Sequence, residues 1–343
     1  VGAGAGQAPA RQAAVNGGLP PTIPAVTINK VCGSGLKAVM LAAQAIRAGD
    51  ARLVVAGGME SMSNVPFYMR GLRGGVKFGD QKIQDGLIYD GLWCSFGACH
   101  MGGHAEYTAD KAGVSREDAD GFALRSHQKA VDAIEAGRFR NEIVPVEISG
   151  RRGVTVVDTD EGPRADTSIE ALAKLKPAFV RDAPEGLAEY VVTAGNAPGL
   201  NDGGAAVVVA SQEYAEAHGL EIDAVISAYA AGATEPKDLF FAPIDAVQKL
   251  MAKEGKAIGD YGLFEVNEAF AVQAIADMRG LGMDEERVNI NGGAVALGHP
   301  IGASGTRILV TLLSAMEHEG VGTGLATLCL GGGNAVALSV ERV

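Results

Sequence analysis

The chain has 343 residues, 47% of them hydrophobic and 20% charged, with a formal net charge of −12. This length supports one large or two ordinary domains around a substantial core. The acidic balance argues against general nucleic-acid binding, and no run of about 18 apolar residues suggests a membrane span. The four cysteines, Cys32, Cys94, Cys99 and Cys329, follow no disulfide framework, so we expect a reducing, cytoplasmic compartment.

The predicted elements begin with a short strand at residues 25–29, followed by a cysteine–glycine turn and a helix. Apolar residues at helical spacing over 36–46 predict that helix, and Gly49 predicts its end. A buried strand follows at 53–56 and ends at the glycine pair 57–58. This order of strand, turn, helix and strand is typical of a layered α/β fold.

The middle of the chain, residues 64–198, differs in its sequence pattern from the parts before and after it. Ser115 and Asp118 form a capping-box pattern that predicts a helix up to about residue 136, closed by Gly137. We interpret this part as an insertion over the core, and such insertions often carry substrate contacts. Its opening loop contains a group of basic residues. These are Arg70, Arg73, Lys77 and Lys82.

The C-terminal part repeats the scheme of the first. A strand-like stretch at 289–291 leads into a glycine turn with His299, then a helical pattern at 308–316, a strand at 325–330 and three glycines, 331–333. This similarity predicts two related halves that face each other. Chance likeness between glycine-rich α/β units is the alternative.

We therefore predict three parts in the chain. Residues 1–63 and 199–217 would form the first core half, and residues 64–198 the inserted loop domain. Residues 218–343 would form the second core half.

Cys32 lies between a predicted strand and a predicted helix, with Gly33 directly after it. Amides at a helix N-terminus favour negative charge, so we expect the pKa of the thiol to be lowered and Cys32 to act as a nucleophile. His299 lies in a rigid glycine–proline turn, and imidazole is the usual base for activating a thiol. A structural cysteine and an ordinary surface histidine are the alternatives.

Two further positions carry suitable chemistry. Cys329 ends an apolar strand just before the glycines 331–333, whose bare backbone can present N–H groups to an oxyanion. Strand packing is the alternative role for this cysteine. Asn267 and Glu268 supply an amide and a carboxylate, and capping of the next helix is the alternative role for Asn267.

The sequence disfavours two other kinds of site. Cys94, Cys99 and His100 are close together but lack the paired short spacings of zinc modules, so we expect no metal. The opening glycines at 2, 4 and 6 do not form a dinucleotide-binding loop, because the third comes too early and no strand precedes them.

Four blocks together resemble the signature motifs of the thiolase family, in order and in separation. They are NKVCGSG at 29–35, NEAF at 267–270, GHPIGASG at 298–305 and CLGGG at 329–333. The resemblance extends from about residue 6 to the end and includes GNA at 195–197 and LNDG at 200–203.

The resemblance implies an α/β fold with a five-layered αβαβα core of two halves and a loop domain inserted in the first. It also implies a cytoplasmic acyltransferase of fatty acid metabolism, assembled as a homodimer or homotetramer. Coenzyme A thioesters would be its substrates in reversible Claisen condensation or thiolysis, with no separate cofactor, nucleic acid or membrane partner. The loop from Arg70 to Lys82 resembles a tetramer-forming loop, and a solvated basic surface is its alternative.

The same resemblance implies a role for each reactive residue. Cys32 would be acylated, His299 would take its proton, and Cys329 would act as acid and base at the α-carbon. The enolate oxygen would be held by His299 and by a water bound to Asn267. The oxyanion of the acyl-enzyme step would be held by the backbone N–H groups of Cys32 and Gly331.

The resemblance also implies contacts with the coenzyme A nucleotide, the pantetheine or the acyl group. The candidate residues are Arg164, Phe179, Ala194, Pro198, His100, Met101 and Phe270. Arg164 would lie against the nucleotide. His100 and Met101 belong to a stretch similar to that of short-chain members, which favours acetyl-CoA and acetoacetyl-CoA over long chains. Pro198 stands where many members have a small hydroxyl residue.

The family usually begins several dozen residues earlier, so the resemblance implies an incomplete first half with an open sheet edge.

Two other functions stay open. A β-ketoacyl synthase shares the fold and the nucleophile but decarboxylates malonyl groups. Cys329 argues against this function, because a base at that position is needed by a route that proceeds without decarboxylation. An inactive thiolase-like protein that binds acyl-CoA is the second, and the four filled reactive positions argue against it.

Overall fold

The computed structural model describes residues 2–151 and 153–343. Its α-helices are α1 (Pro9–Asn16), α2 (Ser34–Ala48), α3 (Met101–Ala112), α4 (Arg116–Glu135), α5 (Ile169–Ala173), α6 (Gln212–Ala217), α7 (Ala242–Glu254), α8 (Ala271–Leu281), α9 (Ala294–Leu297) and α10 (Ser304–Glu319). Its strands are β1 (Leu53–Ser61), β2 (Phe67–Tyr68), β3 (Gln84–Asp85), β4 (Trp93–Cys94), β5 (Cys99–His100), β6 (Val146–Gly150), β7 (Gly153–Val157), β8 (Asp202–Ala210), β9 (Val225–Ala233), β10 (Leu263–Val266), β11 (Thr323–Leu330) and β12 (Asn334–Glu341). Every helix among these residues is too short or too polar to cross a membrane.

The largest sheet in the described residues has the strand order β10-β11-β12-β9. β10 and β11 are parallel, and the other two pairings are antiparallel. Nearly every residue of β11 and β12 is buried. Helices cover both faces of these strands, α10 on one side and α7 on the other. This explains why the strands are apolar along their length instead of alternating with polar residues.

A second sheet pairs β1 with β8 in antiparallel register, from Leu53 opposite Ala210 to Ser61 opposite Asp202. α2 and α10 fill the space between the two sheets. Their buried faces form one apolar cluster with the central strands, which includes Leu36, Val39, Ile308, Leu312, Leu328 and Leu338. The molecule is therefore layered, with a strand pair, two central helices, the larger sheet and outer α7 in succession.

The two central helices cross at a pair of glycines. A Cβ atom on Gly35 would lie 2.5 Å from Thr306 Oγ1, and one on Gly305 would lie 2.5 Å from the backbone nitrogen of Leu36. Both distances are shorter than van der Waals contact, so only glycine permits this approach at either position. The crossing lies in the first turn of each helix, and it therefore brings together the two loops that precede α2 and α10.

The predicted helices are confirmed. α2 ends before Gly49, which has the left-handed φ of 83° expected of a C-terminal glycine. α4 begins at the predicted capping box of Ser115 and Asp118 and ends two residues before Gly137. The helical pattern at 308–316 is the centre of α10, and the strand at 325–330 belongs to β11.

Two predicted strands are wrong. Residues 25–29 form no ladder with any described strand, and their backbone runs along an exposed surface where no neighbour completes a sheet. Residues 289–291 form a turn, with Asn289 at a φ of 46°. The Asn289 side chain accepts from the N–H of Val266 at 2.9 Å and donates to its carbonyl at 2.8 Å. An amide side chain thus takes the place of the predicted strand beside β10.

The strand predicted at 53–56 is present but does not end at its glycine pair. β1 continues to Ser61, with Gly57 and Gly58 paired to Ala206 and Ala205 of β8. A Cβ atom on Gly58 would overlap the carbonyl oxygen of Gly302. These glycines do not form a turn. Their lack of a side chain allows β1 to approach the His299 loop closely.

We expect Gly305→Ala to lower the free energy of unfolding by about 1–3 kcal/mol, because the new methyl group forces the two central helices apart. Gly322→Ala is the matched control, since a Cβ atom there meets nothing within 4 Å. Urea denaturation of both variants measures the difference. Equal losses of stability in the two variants would contradict the tight crossing.

Candidate active site

Cys32 lies in a strained turn just before α2. Val31 has a φ of 49°, which is unfavourable for a β-branched residue. Hydrogen bonds on both sides hold this conformation: the Val31 N–H donates to Asn29 Oδ1 at 2.9 Å, and the Ser34 hydroxyl donates to the Val31 carbonyl at 2.7 Å. The Lys30 N–H donates to Ser34 Oγ at 2.8 Å. The turn fixes the direction in which the thiol points, as is common at functional sites.

The imidazole of His299 lies within hydrogen-bond distance of that thiol. Its Nε2 lies 3.3 Å from Cys32 Sγ, and its Nδ1 lies 2.6 Å from Ser304 Oγ. The Ser304 hydroxyl donates to the Pro300 carbonyl at 2.9 Å, so its oxygen is left to accept a hydrogen bond from Nδ1–H. This assigns the neutral tautomer in which Nε2 carries a free lone pair toward Cys32. The backbone N–H of His299 donates to Asn201 Oδ1 at 3.1 Å.

Burial keeps this pair uncharged. It raises the pKa of the Cys32 thiol to about 12, although the backbone N–H groups of Cys32 and Gly331 act in the opposite direction. Burial, with a contribution from the Arg307 charge, lowers the pKa of His299 to about 4. The expectation that the helix N-terminus lowers the thiol pKa is therefore wrong. Desolvation of the thiolate outweighs the favourable amide dipoles.

Cys329 reaches the same place from the other half of the molecule. It is the seventh residue of the buried strand β11 and is only 1% exposed. The two halves meet closely here, because a Cβ atom on Gly33 would collide with the side chain of Leu330. Burial raises the pKa of Cys329 well above its usual range, and negative charge on Cys32 and on buried Asp277 adds to this increase. The residues next to the two cysteines thus lie against each other, Gly33 against Leu330 and Val31 against Gly331.

Asn267 completes the group of reactive side chains. It is fully buried, and its Nδ2 lies 3.5 Å from His299 Nδ1. Its Oδ1 is buried and has no hydrogen-bond partner within the described part of the chain. The helix that follows, α8, is preceded by Phe270 and has no side-chain cap, so the capping role considered for Asn267 is wrong.

The neighbouring Glu268 holds the surrounding segments in place. Its carboxyl group accepts from Ser126 Oγ at 2.8 Å, Asn289 Nδ2 at 2.9 Å and the backbone N–H of Val295 at 2.9 Å. A Cβ atom on Gly293 would collide with this carboxyl group. Glu268 is therefore a buried anchor that positions Asn267 and does not face the thiols.

Four of the predicted substrate residues lie together around an aromatic group. The His100 ring stacks on Phe179 with centroids 4.7 Å apart, and Phe179 meets Phe270 edge-on at 6.2 Å. Met101 packs with Phe179 against the core cluster that contains both Phe270 and Cys329. The aromatic group and the second thiol thus belong to the same buried cluster.

The remaining predicted substrate residues are Ala194, Pro198 and Arg164. The loop of the first two runs beside the aromatic group, because the Ala271 N–H, next to Phe270, donates to the Asn196 carbonyl at 3.0 Å. Ala194 is exposed and Pro198 is half-buried, in a loop tied down by Asn196, whose side chain contacts the Thr193 N–H and Asp120. Arg164 is exposed, and its backbone N–H donates to Nδ1 of His127 at 3.2 Å. This hydrogen bond attaches the segment of Arg164 to α4.

Three residues of the site were not anticipated from the sequence. Ser304 and Asn201 lie inside the quoted motifs, but nothing in the pattern distinguished their hydroxyl and amide from ordinary loop residues. Asp277 lies on an apolar helical face, where a lone acid is the signal that could have singled it out. Within the described ranges, no group of three or more His, Cys, Asp or Glu side chains is arranged to hold a metal ion.

Comparisons with known proteins agree with this arrangement. The family model described as "Thiolase, N-terminal domain" matches residues 1–213, and "Thiolase, C-terminal domain" matches residues 220–342. The chain is 53% identical to an acetyl-CoA acetyltransferase of Pseudomonas aeruginosa over 99% of its own length and 85% of that protein. It is 49% identical, with the same coverage, to a probable acetyl-CoA acetyltransferase of Escherichia coli.

A solved structure shows the same fold. The crystal structure of human mitochondrial 3-ketoacyl-CoA thiolase superposes with a TM-score of 0.92 and 37% sequence identity, covering 97% of this chain and 83% of that one. The chain therefore belongs to the thiolase family. It is an acyltransferase with the thiolase α/β fold, so the predicted fold and enzyme class are confirmed.

The raised thiol pKa predicts how Cys32 reacts with pH. Between about pH 6 and pH 9 we expect its alkylation by iodoacetamide to accelerate about tenfold per pH unit, because the thiolate fraction grows in that proportion below the pKa. Mass spectrometry of the tryptic peptide 31–37, which contains no other cysteine, measures the rate. A plateau across neutral pH would instead indicate a thiolate–imidazolium pair.

The tautomer assignment predicts a role for Ser304. Ser304→Ala removes the acceptor for His299 Nδ1–H, and we expect the alkylation of Cys32 at neutral pH to slow about tenfold, the equivalent of one hydrogen bond. Ser314→Ala on the same helix is the control, since that hydroxyl contacts the Arg138 carbonyl. Similar rates in the two variants would show that Ser304 does not orient the imidazole.

Proposed function

We propose that this thiolase catalyses reversible, coenzyme A-dependent Claisen condensation and thiolysis through an acyl-Cys32 intermediate. Its substrates would be two acetyl-CoA molecules, or a short-chain 3-ketoacyl-CoA in the reverse direction. The observation that carries the proposal is the 3.3 Å contact between Cys32 Sγ and His299 Nε2, with a second buried thiol close by.

The first half-reaction follows from the neutral thiol–imidazole pair. Cys32 Sγ attacks the thioester carbonyl while its proton passes to His299 Nε2, whose lone pair faces it. The carbon–sulfur bond to coenzyme A then breaks, and the departing thiolate takes the proton of the Cys329 thiol. This leaves a Cys329 thiolate and protonated His299, which returns its proton to Cys32 when the acyl group leaves. Ser304 keeps the proton on Nδ1 throughout, so that Nε2 acts first as base and then as acid.

Cys329 is suited to the second half-reaction. An α-proton beside a thioester is weakly acidic, and a thiolate with a raised pKa is a correspondingly stronger base toward it. Cys329 would remove this proton, and the resulting enolate would attack the acyl group on Cys32. In the reverse direction the protonated thiol would return the proton to the enolate.

Two oxyanion positions are supported by groups already in place. The backbone N–H groups of Cys32 and Gly331 favour negative charge at the Cys32 end of the site, where the first tetrahedral oxygen would develop. The buried Asn267 Oδ1 can accept a hydrogen bond from a water molecule. That water and protonated His299 Nε2 would then hold the enolate oxygen.

The aromatic group of His100, Phe179 and Phe270, with Met101, supports an acyl and pantetheine surface that packs on the same buried cluster as Cys329. The acetyl-CoA acetyltransferase relatives support a short acyl group. Ala194 and Pro198 would line the pantetheine path. Arg164 would meet the nucleotide phosphates as a local cation on an acidic protein, where an anionic ligand needs one.

We also infer a cytoplasmic homo-oligomer, with a tetramer as the favoured form. The four free cysteines suit a reducing compartment. Residues 67–83 expose an unusual number of large apolar side chains for a monomer, which suits a covered interface. These are Phe67, Met69, Leu72, Val76, Phe78 and Ile83.

Incubation with acetyl-CoA alone tests the mechanism. We expect intact mass spectrometry to show one added acetyl group on the wild type and none on Cys32→Ala, with release of coenzyme A. Cys329→Ala should still be acetylated but should form acetoacetyl-CoA at least about a thousandfold more slowly, because only the carbanion step loses its base.

The possible outcomes separate the competing functions. Acetoacetyl-CoA formed without any malonyl thioester supports the thiolase reaction over a decarboxylating synthase. An unmodified Cys32 in protein that still binds coenzyme A would overturn the proposal in favour of an acyl-CoA-binding role.

A further inference from the structure

Two cysteines outside the catalytic group stand opposite each other on a short antiparallel ribbon. β4 and β5 pair Trp93 with His100 and Cys94 with Cys99. Opposed residues of such a ribbon point to the same face, with Cα atoms about 4.5–5.5 Å apart. That separation lies within the range of about 4.4–6.8 Å that disulfides span.

The connecting loop shows that both thiols are directed to one place. The backbone N–H of Gly97 donates to Cys94 Sγ at 3.3 Å, and a Cβ atom on Gly97 would lie 3.2 Å from Cys99 Sγ. Cys94 is only 2% exposed, whereas Cys99 is half-buried. Redox-sensing cysteines are solvent-accessible and often lie next to a resolving cysteine, and Cys99 and Cys94 match both of these features.

We propose that Cys94 and Cys99 form a reversible disulfide, a redox modification site separate from the catalytic thiols, with a low-molecular-weight disulfide as the oxidant. The Cys99 thiolate attacks one sulfur of that disulfide, whose S–S bond breaks and releases one thiolate. Cys94 then attacks the Cys99 sulfur and releases the second. Two protein thiols lose two protons and two electrons, and the oxidant becomes two thiols.

The position of the ribbon gives the disulfide a consequence, which rests on the proposed function. At the tip, the Phe96 ring would lie 3.5 Å from a Cβ atom on Gly332, in the glycine run after Cys329. At the base, His100 follows Cys99 directly and stacks on Phe179. Drawing Cys94 and Cys99 together shifts both contacts, so oxidation should alter acyl-substrate binding without touching Cys32.

Two readouts test the site independently of any activity. After treatment with oxidised glutathione, we expect the tryptic peptide 83–111, which contains both cysteines, to be lighter by two hydrogens and resistant to alkylation. Trp93 is the single tryptophan of the chain and adjoins Cys94, so its fluorescence should fall on oxidation. Dithiothreitol should reverse both changes, and Cys94→Ser should show neither.

The effect of oxidation on substrate binding is measured with oxidised protein in which peptide 31–37 still carries a free thiol. We expect KM for the acyl-CoA to rise about threefold to tenfold, because positioning in the pocket changes, and to recover with dithiothreitol. The proposal is overturned if both thiols of peptide 83–111 stay alkylatable, if Cys32 is linked to Cys329 instead, or if Cys94→Ser responds like the wild type. An unchanged KM with the disulfide present removes the pocket effect while the modification site stands.

Discussion

The close crossing of α2 and α10 is the contact on which the catalytic arrangement depends. Gly35 and Gly305 let each helix approach the backbone of the other, and the apolar cluster behind them fixes the angle. Each helix is preceded by a loop with one reactive group, so the crossing determines how far Cys32 lies from His299. A shift of the helices at this crossing would change the hydrogen-bond distances at the site directly.

Burial controls the chemistry of the site more strongly than local dipoles do. The helix N-terminus and the glycine amides favour a thiolate, yet the pKa of Cys32 is raised to about 12 and that of His299 is lowered to about 4. The proton therefore moves from Cys32 to His299 only when a substrate supplies an oxygen on which negative charge can be stabilised. An uncharged resting pair also suits two thiols placed near each other, since two thiolates would repel.

The sequence was informative where a pattern has one structural solution. Helical spacing predicted α2 and α10, a capping box predicted α4, and the apolar run predicted β11. It failed where a tertiary partner decides the outcome, as with Asn289, whose side chain substitutes for a strand. The reactive residues could be named because four motifs occur together. Ser304 was not assigned a role, since only coordinates show that its hydroxyl faces an imidazole.

Glu268 has a consequence for how the molecule moves. Its carboxyl group joins α4 of the middle segment, the Asn289 turn and the start of α9, all buried and all directly behind Asn267. Hydrogen bonds to a carboxylate contribute about 1.5–3 kcal/mol each, so swinging the middle segment away as a lid would break several at once. Hinge opening is therefore costly in this enzyme.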